Sequence, residues 1–505
     1  MLEEHLDAIM TPSKAFTTLM EHVRQTYALS QISGLLEWDQ EVMMPPDGAR
    51  ARAEQAAALE LVIHERRTDP RIGDWLSKLE GLELDDAAMA NVRLTKRNYE
   101  RSVKIPAKLA EELARLTSLA QGIWAQARSE NKFANFAPTL EQVIKLKREE
   151  ASCLAEDGQL NYDALLNDYE PGMTVAVLQP LLENMRPRLS KLRKNIAESG
   201  VNLKALKGPF DTKLQMALAH KLGDVVGYNW NGGRLDLSTH PFSSGTGGDA
   251  RITTRVDEAE PFGCLYSTIH ELGHALYEQG VPKAHALTPA GQHVSMGVHE
   301  SQSRILENQI GRSRAFCEWF FPHFNRAFPD CGVMSSEDLY RAANRVETGF
   351  IRTEADEVHY NLHVLLRFEL ERDLISGALN VGDLEAEWNA RFERDFGVAV
   401  PDAAHGVLQD VHWSVGLFGY FPTYSLGNIY AGQLNQKMRS EIHDLDSDIS
   451  HGKTGEVLTW MRKNIHEEGS ILTPEALVEK AVGESVTADP LLDYLENKFG
   501  QIYGF

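Results

Sequence analysis

Cysteine is scarce in this sequence. The chain of 505 residues contains four cysteines, and they stand far apart at Cys153, Cys264, Cys317 and Cys331. So few and so scattered, they exclude a disulfide framework and a CxxC metal site. We expect all four to be buried free thiols.

Long apolar runs and an excess of positive charge are also missing. No hydrophobic stretch approaches the about 18–20 residues that cross a bilayer, and the first 15 residues carry acids where a signal peptide is apolar. The 51 basic and 73 acidic residues give a net charge of −22, which argues against the basic surface that nucleic-acid binding needs. We therefore expect a cytoplasmic protein that binds neither a membrane nor a nucleic acid.

Apolar residues recur at the spacing of α-helices along most of the chain. Leu214, Leu218 and Leu222 are four residues apart, and Leu362, Leu366 and their neighbours repeat the pattern. We predict a mainly α fold. These patterns leave the number of domains open, and the Gly208-Pro209 break weakly divides the chain into lobes at about 1–207 and 208–505.

One stretch breaks the helical pattern. Residues 227–256 are dense in Gly, Ser, Thr and Asn, and the short alternating pieces 234–237 and 252–256 flank a glycine-rich turn at 245–248. This pattern predicts a small antiparallel β-sheet. The edge of such a sheet, beside a cleft, can hold an extended peptide.

The most informative motif is an HExxH at His270, Glu271 and His274. Residues four apart share one helix face, so both imidazoles can reach one Zn²⁺ at about 2.0–2.1 Å, while Glu271 lies where it can take a proton from water. Residues 265–277 contain no proline and read as a buried helix. With 18 histidines and 73 acids in the chain, chance gives at most about 0.09 such matches.

A catalytic zinc site has three protein ligands. The metzincin extension fails, because Tyr277 and Gly280 stand where its glycine and third histidine would be. Glu278 would lie one turn beyond the metal. Glu300 begins a second helical pattern after the loop at 289–291, so it could approach from a facing helix.

Further strings accompany the HExxH, and together they resemble the carboxypeptidase Taq family of zinc metallocarboxypeptidases. The strings are DxRxT at 249–253, HESQ at 299–302, IRxxAD at 351–356 and GxxQDxHW at 406–413, with family-like segments at 35–41 and 162–174. The resemblance covers nearly the whole chain, so a single peptidase domain over residues 1–505 is expected.

The resemblance implies a fold, an assembly and a set of site residues. The fold would be two helical lobes around a deep substrate groove, with the small sheet beside the active site, similar to oligopeptidases and angiotensin-converting-type peptidases. Members are usually homodimers with one zinc ion per chain, for which Co²⁺ or Mn²⁺ can substitute. The implied roles are metal ligands for His270, His274 and Glu300, general base and acid for Glu271, and positions around the C-terminal end of the substrate for Arg352, Arg251 and His412, with Asp249 and Gln409 in the same strings.

Physical chemistry supports an arginine in such a site. A free peptide carboxylate is best bound by a guanidinium, which offers paired planar donors at a fixed charge. Arg352 and Arg251 are the candidates. The alternative is a structural ion pair, for example between Arg352 and Glu354 or Asp356.

The donor that stabilises the oxyanion is less closely defined. After His412, a predicted catalytic residue, an aromatic run offers Tyr420 and Tyr424, of which we favour Tyr424. His240, beside the glycine turn, is another candidate that would bind substrate. Alternatively, both tyrosines are core residues.

Three functions compete on this sequence. The first is a zinc carboxypeptidase that removes single residues from the C-termini of short peptides. The second is a zinc oligopeptidase with internal or dipeptidyl cleavage, which the same metal ligands would serve. The third, a helical scaffold with structural zinc, needs a closed four-ligand site, and Cys264 lies too far before His270 to join one.

Overall fold

The structure is a computed structural model that describes residues 11–505. It is mostly helical, which confirms the predicted fold class. The α-helices of the described residues are α1 (Pro12–Val42), α2 (Ala49–Arg67), α3 (Arg71–Ser77), α4 (Asp86–Lys104), α5 (Ala107–Ser129), α6 (Ala137–Leu154), α7 (Asn161–Leu166), α8 (Val175–Glu198), α9 (Thr212–Val226), α10 (Phe262–Gly280), α11 (Met296–Arg304), α12 (Arg314–Ala327), α13 (Ser336–Ala343), α14 (Glu357–Ser376), α15 (Leu384–Phe396), α16 (Pro422–Glu441), α17 (Leu445–Ser450), α18 (Gly455–Asn464), α19 (Pro474–Val482) and α20 (Asp489–Tyr503).

A three-stranded sheet occupies the glycine-rich stretch. Its strands are β1 (Leu235–Leu237), β2 (Ser243–Thr246) and β3 (Asp249–Thr254), in the order β1-β3-β2. The β2–β3 hairpin is antiparallel as predicted, but β1 pairs with β3 in parallel. The sheet is therefore mixed, because the chain reverses once between β1 and β2 and again at the hairpin.

The chain divides into two compact units, each built from three segments. The first unit comprises the described residues up to 104, residues 211–294 and residues 454–473; the second comprises 105–210, 295–453 and 474–505. Each unit takes segments from both sides of residue 207, and the lobes expected at about 1–207 and 208–505 stay a prediction. A single peptidase domain stays a prediction.

In the first unit, α10 lies on the sheet and against α9. The hydroxyl of Thr254, at the end of β3, donates to the carbonyl of Cys264 at 3.0 Å. The backbone N–H of Gly247, in the hairpin turn, donates to the carbonyl of Glu278 at 3.0 Å. These bonds fix α10 on the sheet near both of its ends.

In the second unit, α14 is buried on nearly every face. Leu362, Leu366 and Leu370 are fully buried, and the helix packs against α8, α15 and α16. A helix that buries all of its faces lies inside its unit. The helical pattern predicted from these leucines is confirmed.

Glu371 is a buried acid on α14 that joins three parts of the second unit. Its carboxylate accepts hydrogen bonds from Tyr162 Oη at 2.8 Å, Trp413 Nε1 at 2.8 Å and the N–H of Gly419 at 3.0 Å. Burial raises the pKa of Glu371 to about 7, and the three donors offset that effect only in part.

This raised pKa predicts that the second unit loses stability as pH rises. Between pH 4.5 and about 7 the folded protein retains a proton on Glu371 that the unfolded chain has released, so the free energy of unfolding falls by about 3 kcal/mol across this window. We expect Glu371→Gln to have a smaller difference between its urea-unfolding free energies at pH 5 and pH 8. The same difference in wild type and variant would contradict this, and exposed Glu393→Gln, in the same unit, is the control.

The prediction that the four cysteines are buried free thiols is confirmed for three of them, and the predicted burial of Cys153 is wrong. Cys264, Cys317 and Cys331 are buried, Cys153 is half-buried, and all four are free thiols. Within residues 11–505, no helix has the length and apolar character needed to cross a membrane.

Candidate active site

The HExxH motif lies on α10, which spans the predicted helix 265–277 and is fixed at both ends. At its start, the carboxylate of Glu260 accepts from the N–H groups of Phe262 and Gly263 at 2.8 and 2.6 Å, as helix N-termini favour. At its end, Tyr277 stacks on His466 with ring centroids 5.0 Å apart. A Cβ at Gly280 would lie 2.5 Å from His466 Nδ1, so this contact needs glycine.

The two histidines of the motif present nitrogens to a common point. Nε2 of His270 and Nε2 of His274 are 3.2 Å apart, and both residues are partly buried. Two nitrogens bound to one tetrahedral Zn²⁺ at about 2.0–2.1 Å would lie about 3.3–3.4 Å apart. The observed spacing therefore fits a shared metal ion. Glu271, the next residue on the helix, is 7% exposed.

Glu300 lies in the second unit on α11, the helix predicted to carry it. It is buried, and its Oε1 accepts from Arg304 Nε at 2.7 Å. Burial would lower the pKa of Arg304, but Glu300, Tyr360 and Glu307 together hold it above its usual value. A charged donor on one oxygen is what a metal-binding carboxylate commonly has. The chain continues as a π-helix, Ile305–Gly311, a conformation frequent at functional sites.

Arg251 and Asp249 lie in the first unit on β3. Arg251 binds both carboxylate oxygens of Asp249, at 2.7 and 2.8 Å, and this pairing lowers the pKa of Asp249. The Arg251 guanidinium also lies 4.3 Å from the ring centroid of Trp38, and Arg234 lies 5.0 Å from the same ring. Trp38 and Arg234 were not predicted as site residues. Trp38 holds Arg251 in place by a cation–π contact and binds Arg234 in the same way.

His240 lies in the connection between β1 and β2. The residue is exposed, and its carbonyl accepts from the hydroxyl of Ser238 at 2.7 Å. This hydrogen bond fixes the backbone turn at His240. The predicted contact of its imidazole with substrate stays a prediction.

Arg352 lies in the second unit and is 4% exposed. Arg352 does form a buried ion pair, but the partners named from the sequence, Glu354 and Asp356, are wrong: its Nε binds Asp410 Oδ1 at 3.0 Å. Asp356 instead caps the N-terminus of α14. Nη1 of Arg352 donates to Tyr360 Oη at 3.1 Å, and within residues 11–505 Nη2 makes no hydrogen bond.

Asp410 is shared by two buried arginines. Its Oδ2 accepts from Arg367 Nε at 2.7 Å, while Oδ1 accepts from Arg352. Burial opposes ionisation of Asp410, but the two guanidinium groups hold its pKa well below the usual range. Burial lowers the pKa of Arg367 to about 10, so this group stays charged at pH 7. Two guanidinium groups and one carboxylate leave one net positive charge, which favours an anionic ligand.

Gln409 supports the backbone beside Arg352. Its Oε1 accepts from the N–H of Arg352 at 2.9 Å, and its Nε2 donates to the carbonyls of Phe350 and His405, both at 3.0 Å. The side-chain amide thus holds the turn at Arg352. Its predicted contact with substrate is not tested by these bonds.

His412 and Tyr424 lie together beside Arg352. His412 Nε2 is 3.3 Å from Tyr424 Oη. Burial, and then the charge of Arg352, lower the pKa of His412 to about 3, so the ring is neutral at pH 7. Burial raises the pKa of Tyr424 well above 10 and that of Tyr420 to about 12. All three groups are therefore neutral at pH 7, and the choice between the two tyrosines stays open.

Comparisons of sequence match the chain to a family of metallopeptidases. The sequence model of the carboxypeptidase Taq (M32) metallopeptidase family matches residues 18–499. Thermostable carboxypeptidase 1 of Thermus thermophilus is 45% identical over 512 residues, covering 98% of this chain and 100% of the relative. Carboxypeptidase 1 of Bacillus subtilis is 34% identical over 501 residues, covering 98% and 99%.

Solved structures of the same kind share the fold. Metallocarboxypeptidase 1 of Trypanosoma cruzi matches with a TM-score of 0.94 and 37% identity, covering 96% of this chain and 99% of that one. The M32 carboxypeptidase of Deinococcus radiodurans matches with a TM-score of 0.93 and 37% identity, covering 97% and 100%.

A buried helix with paired histidines and an adjacent glutamate, in a mostly helical chain, defines the class of metallopeptidases. Within this class, the chain belongs to the carboxypeptidase Taq (M32) family. It is accordingly a metallocarboxypeptidase, a hydrolase whose family implies a metal ion and peptide substrates.

Proposed function

We propose that this chain is a zinc metallocarboxypeptidase that releases single amino acids from the C-termini of short or unfolded peptides. The observation that carries the proposal is the Nε2–Nε2 spacing of 3.2 Å between His270 and His274 on the buried HExxH helix. Cytoplasmic location and a homodimer are further proposals, supported by the composition and by the family resemblance respectively. Size-exclusion chromatography with light scattering tests the dimer.

His270, His274 and Glu300 would hold the metal ion. Two imidazoles and one carboxylate are a donor set that suits catalytic Zn²⁺ and also accepts Co²⁺ or Mn²⁺. The bound ion would polarise the scissile carbonyl and lower the pKa of water toward about 7. Support for Glu300 comes from its buried position on α11 and from the Arg304 guanidinium, a charged donor on its Oε1.

Glu271 would act as the general base and then as the general acid. Its carboxylate would take a proton from the attacking water and pass the proton to the leaving amine. The helix supports this role because the residue after the first histidine lies beside the histidine face of α10. A buried position also limits competition from bulk water.

Arg352 is the better supported receptor for the C-terminal carboxylate of the substrate. Its cluster with Asp410 and Arg367 carries one net positive charge in a buried setting, and its Nη2 is a spare donor among the described residues. Arg251 already binds both oxygens of Asp249. We therefore propose that Arg251 and Asp249 line the substrate path together, while Arg352 binds the carboxylate.

Tyr424, supported by His412, would donate to the oxyanion. Its raised pKa keeps the phenol protonated, as a donor must be. Neutral His412 can accept from or donate to Tyr424 and orient it. Tyr420 is the alternative donor, with ring centroids of the two tyrosines 5.3 Å apart.

Mass spectrometry of a short unblocked peptide incubated with the purified protein tests this function. We expect stepwise loss of C-terminal residues, which a chelator stops and which a C-terminal amide on the peptide resists. Internal or dipeptidyl cuts that ignore the amide would instead favour an oligopeptidase. The absence of any cleavage by metal-loaded protein would contradict both activities.

A further inference from the structure

The stem of Glu300 lies directly against the backbone of α16. A Cβ placed at Gly427 would be 2.4 Å from Glu300 Cγ and 2.6 Å from Glu300 Cβ. Carbon atoms in contact lie about 3.5–4.0 Å apart. Glycine is therefore needed at 427 for the Glu300 side chain to take its observed position.

The same two helices meet at a second glycine, this time on α11. A Cβ at Gly297 would be 2.6 Å from Glu170 Oε2 and 3.2 Å from the ring of Tyr430. Gly297 and Glu300 are three residues apart on α11, and Gly427 and Tyr430 are three apart on α16, so each pair shares a helix face. The two helices interlock, with a glycine of each receiving a large side chain.

Glu170 links the N-terminus of α11 to α16 by hydrogen bonds. Its Oε2 accepts from the N–H of Gly297 at 3.0 Å, and its Oε1 accepts from Tyr430 Oη at 2.9 Å. The preceding carbonyl, of Tyr169, accepts from the N–H of Met296 at 3.0 Å. Two N–H groups of the first turn, which a helix cannot satisfy internally, are thus bound by one segment. Buried Glu170 fixes the rotation of α11 relative to α16.

We propose that Gly427, together with the link from Glu170 to Tyr430, positions Glu300 as a metal ligand. The inference rests on the proposed role of Glu300. A ligand must be held to within about 0.5 Å of its working geometry, and a side chain displaced by a new methyl group at 427 would miss that tolerance. These residues act on the metal through Glu300, so metal affinity is the property that they control.

The affinity of the apoprotein for Zn²⁺, measured by competition with a chromogenic chelator, tests this proposal. We expect Gly427→Ala to weaken Zn²⁺ binding by about 10- to 100-fold, the usual effect of changing a group that supports a metal ligand. Gly122→Ala is the matched control, because it is also a helical glycine of the second unit and its added Cβ meets nothing within 4 Å. Alanine is the better helix former at both positions, so helix propensity cannot explain a loss at 427 alone.

A milder variant covers the case in which Gly427→Ala does not fold. Tyr430→Phe removes only the hydroxyl that binds Glu170, and we expect it to weaken Zn²⁺ binding about threefold or more while circular dichroism stays that of wild type. Wild-type affinity in Tyr430→Phe and in folded Gly427→Ala would overturn the proposal. If only Gly427→Ala loses affinity for Zn²⁺, Gly427 positions Glu300 and the link from Glu170 to Tyr430 does not.

Glu300→Gln separates this inference from the function on which it rests. If this variant binds Zn²⁺ as wild type does, Glu300 is not a ligand and the proposed metal site is wrong. If it loses affinity while Gly427→Ala and Tyr430→Phe do not, the metal site stands and only the positioning role fails.

Discussion

A Glu271→Gln variant is expected to keep its metal ion and to lose about a thousandfold or more in kcat. Glutamine has nearly the same shape as glutamate but cannot take a proton from water. His270 and His274 are unchanged, so metal binding should persist. The measurement is kcat on a short peptide, together with metal content per chain by atomic absorption.

Glu260→Gln is the control for this experiment. Glu260 lies just before the same helix, is exposed, and caps its first N–H groups, a role that a glutamine oxygen can also fill. We expect its kcat to stay near that of wild type. Near-normal turnover in fully metallated Glu271→Gln would remove Glu271 from the role of base.

An Arg352→Ala variant is expected to lose about a hundredfold or more in kcat/KM on peptides with a free C-terminal carboxylate, and far less on C-terminally amidated peptides. Removing one partner of a buried, hydrogen-bonded charge pair costs about 2–5 kcal/mol, and an amidated substrate does not form this pair. Asp410 would keep Arg367 as its partner in the variant, so no unpaired carboxylate is left buried. Initial rates on a matched pair of peptides measure the effect.

Arg345→Ala is the control for the loss of a guanidinium. Arg345 is a half-buried arginine of the same unit that pairs with the exposed Glu347 at 2.8 Å. We expect Arg345→Ala to leave kcat/KM unchanged on both the free-acid and the amidated peptide. Equal losses of kcat/KM on free-acid and amidated peptides in Arg352→Ala would give Arg352 a structural role.

The sequence predicts best what depends on near neighbours along the chain. The HExxH helix and α14 follow from spacings of three and four residues, which any helix must obey. The hairpin of β2 and β3 follows from its glycine turn. The parallel pairing of β1 does not, because it depends on the path of residues 238–242, which carry no periodic signal.

Contacts between residues far apart in the sequence were not predicted, for the same reason. Arg352 and Asp410 are 58 residues apart, so the sequence pointed only to the nearer acids Glu354 and Asp356 as partners. Trp38 and Arg251 lie on α1 and β3, far apart in sequence. Both pairs depend on tertiary packing, although Asp410 and Trp38 each stood inside a family string.

The alternation of segments between the two units has a consequence for synthesis on the ribosome. The first unit needs residues as late as 473, and the second needs those to 505. Translation proceeds from the N-terminus, and domains made of one continuous segment can fold as they emerge. Here neither unit can be completed until residues beyond 450 have been made. A nascent or truncated chain therefore leaves the hydrophobic cores of both units incomplete and exposed to solvent at the same time.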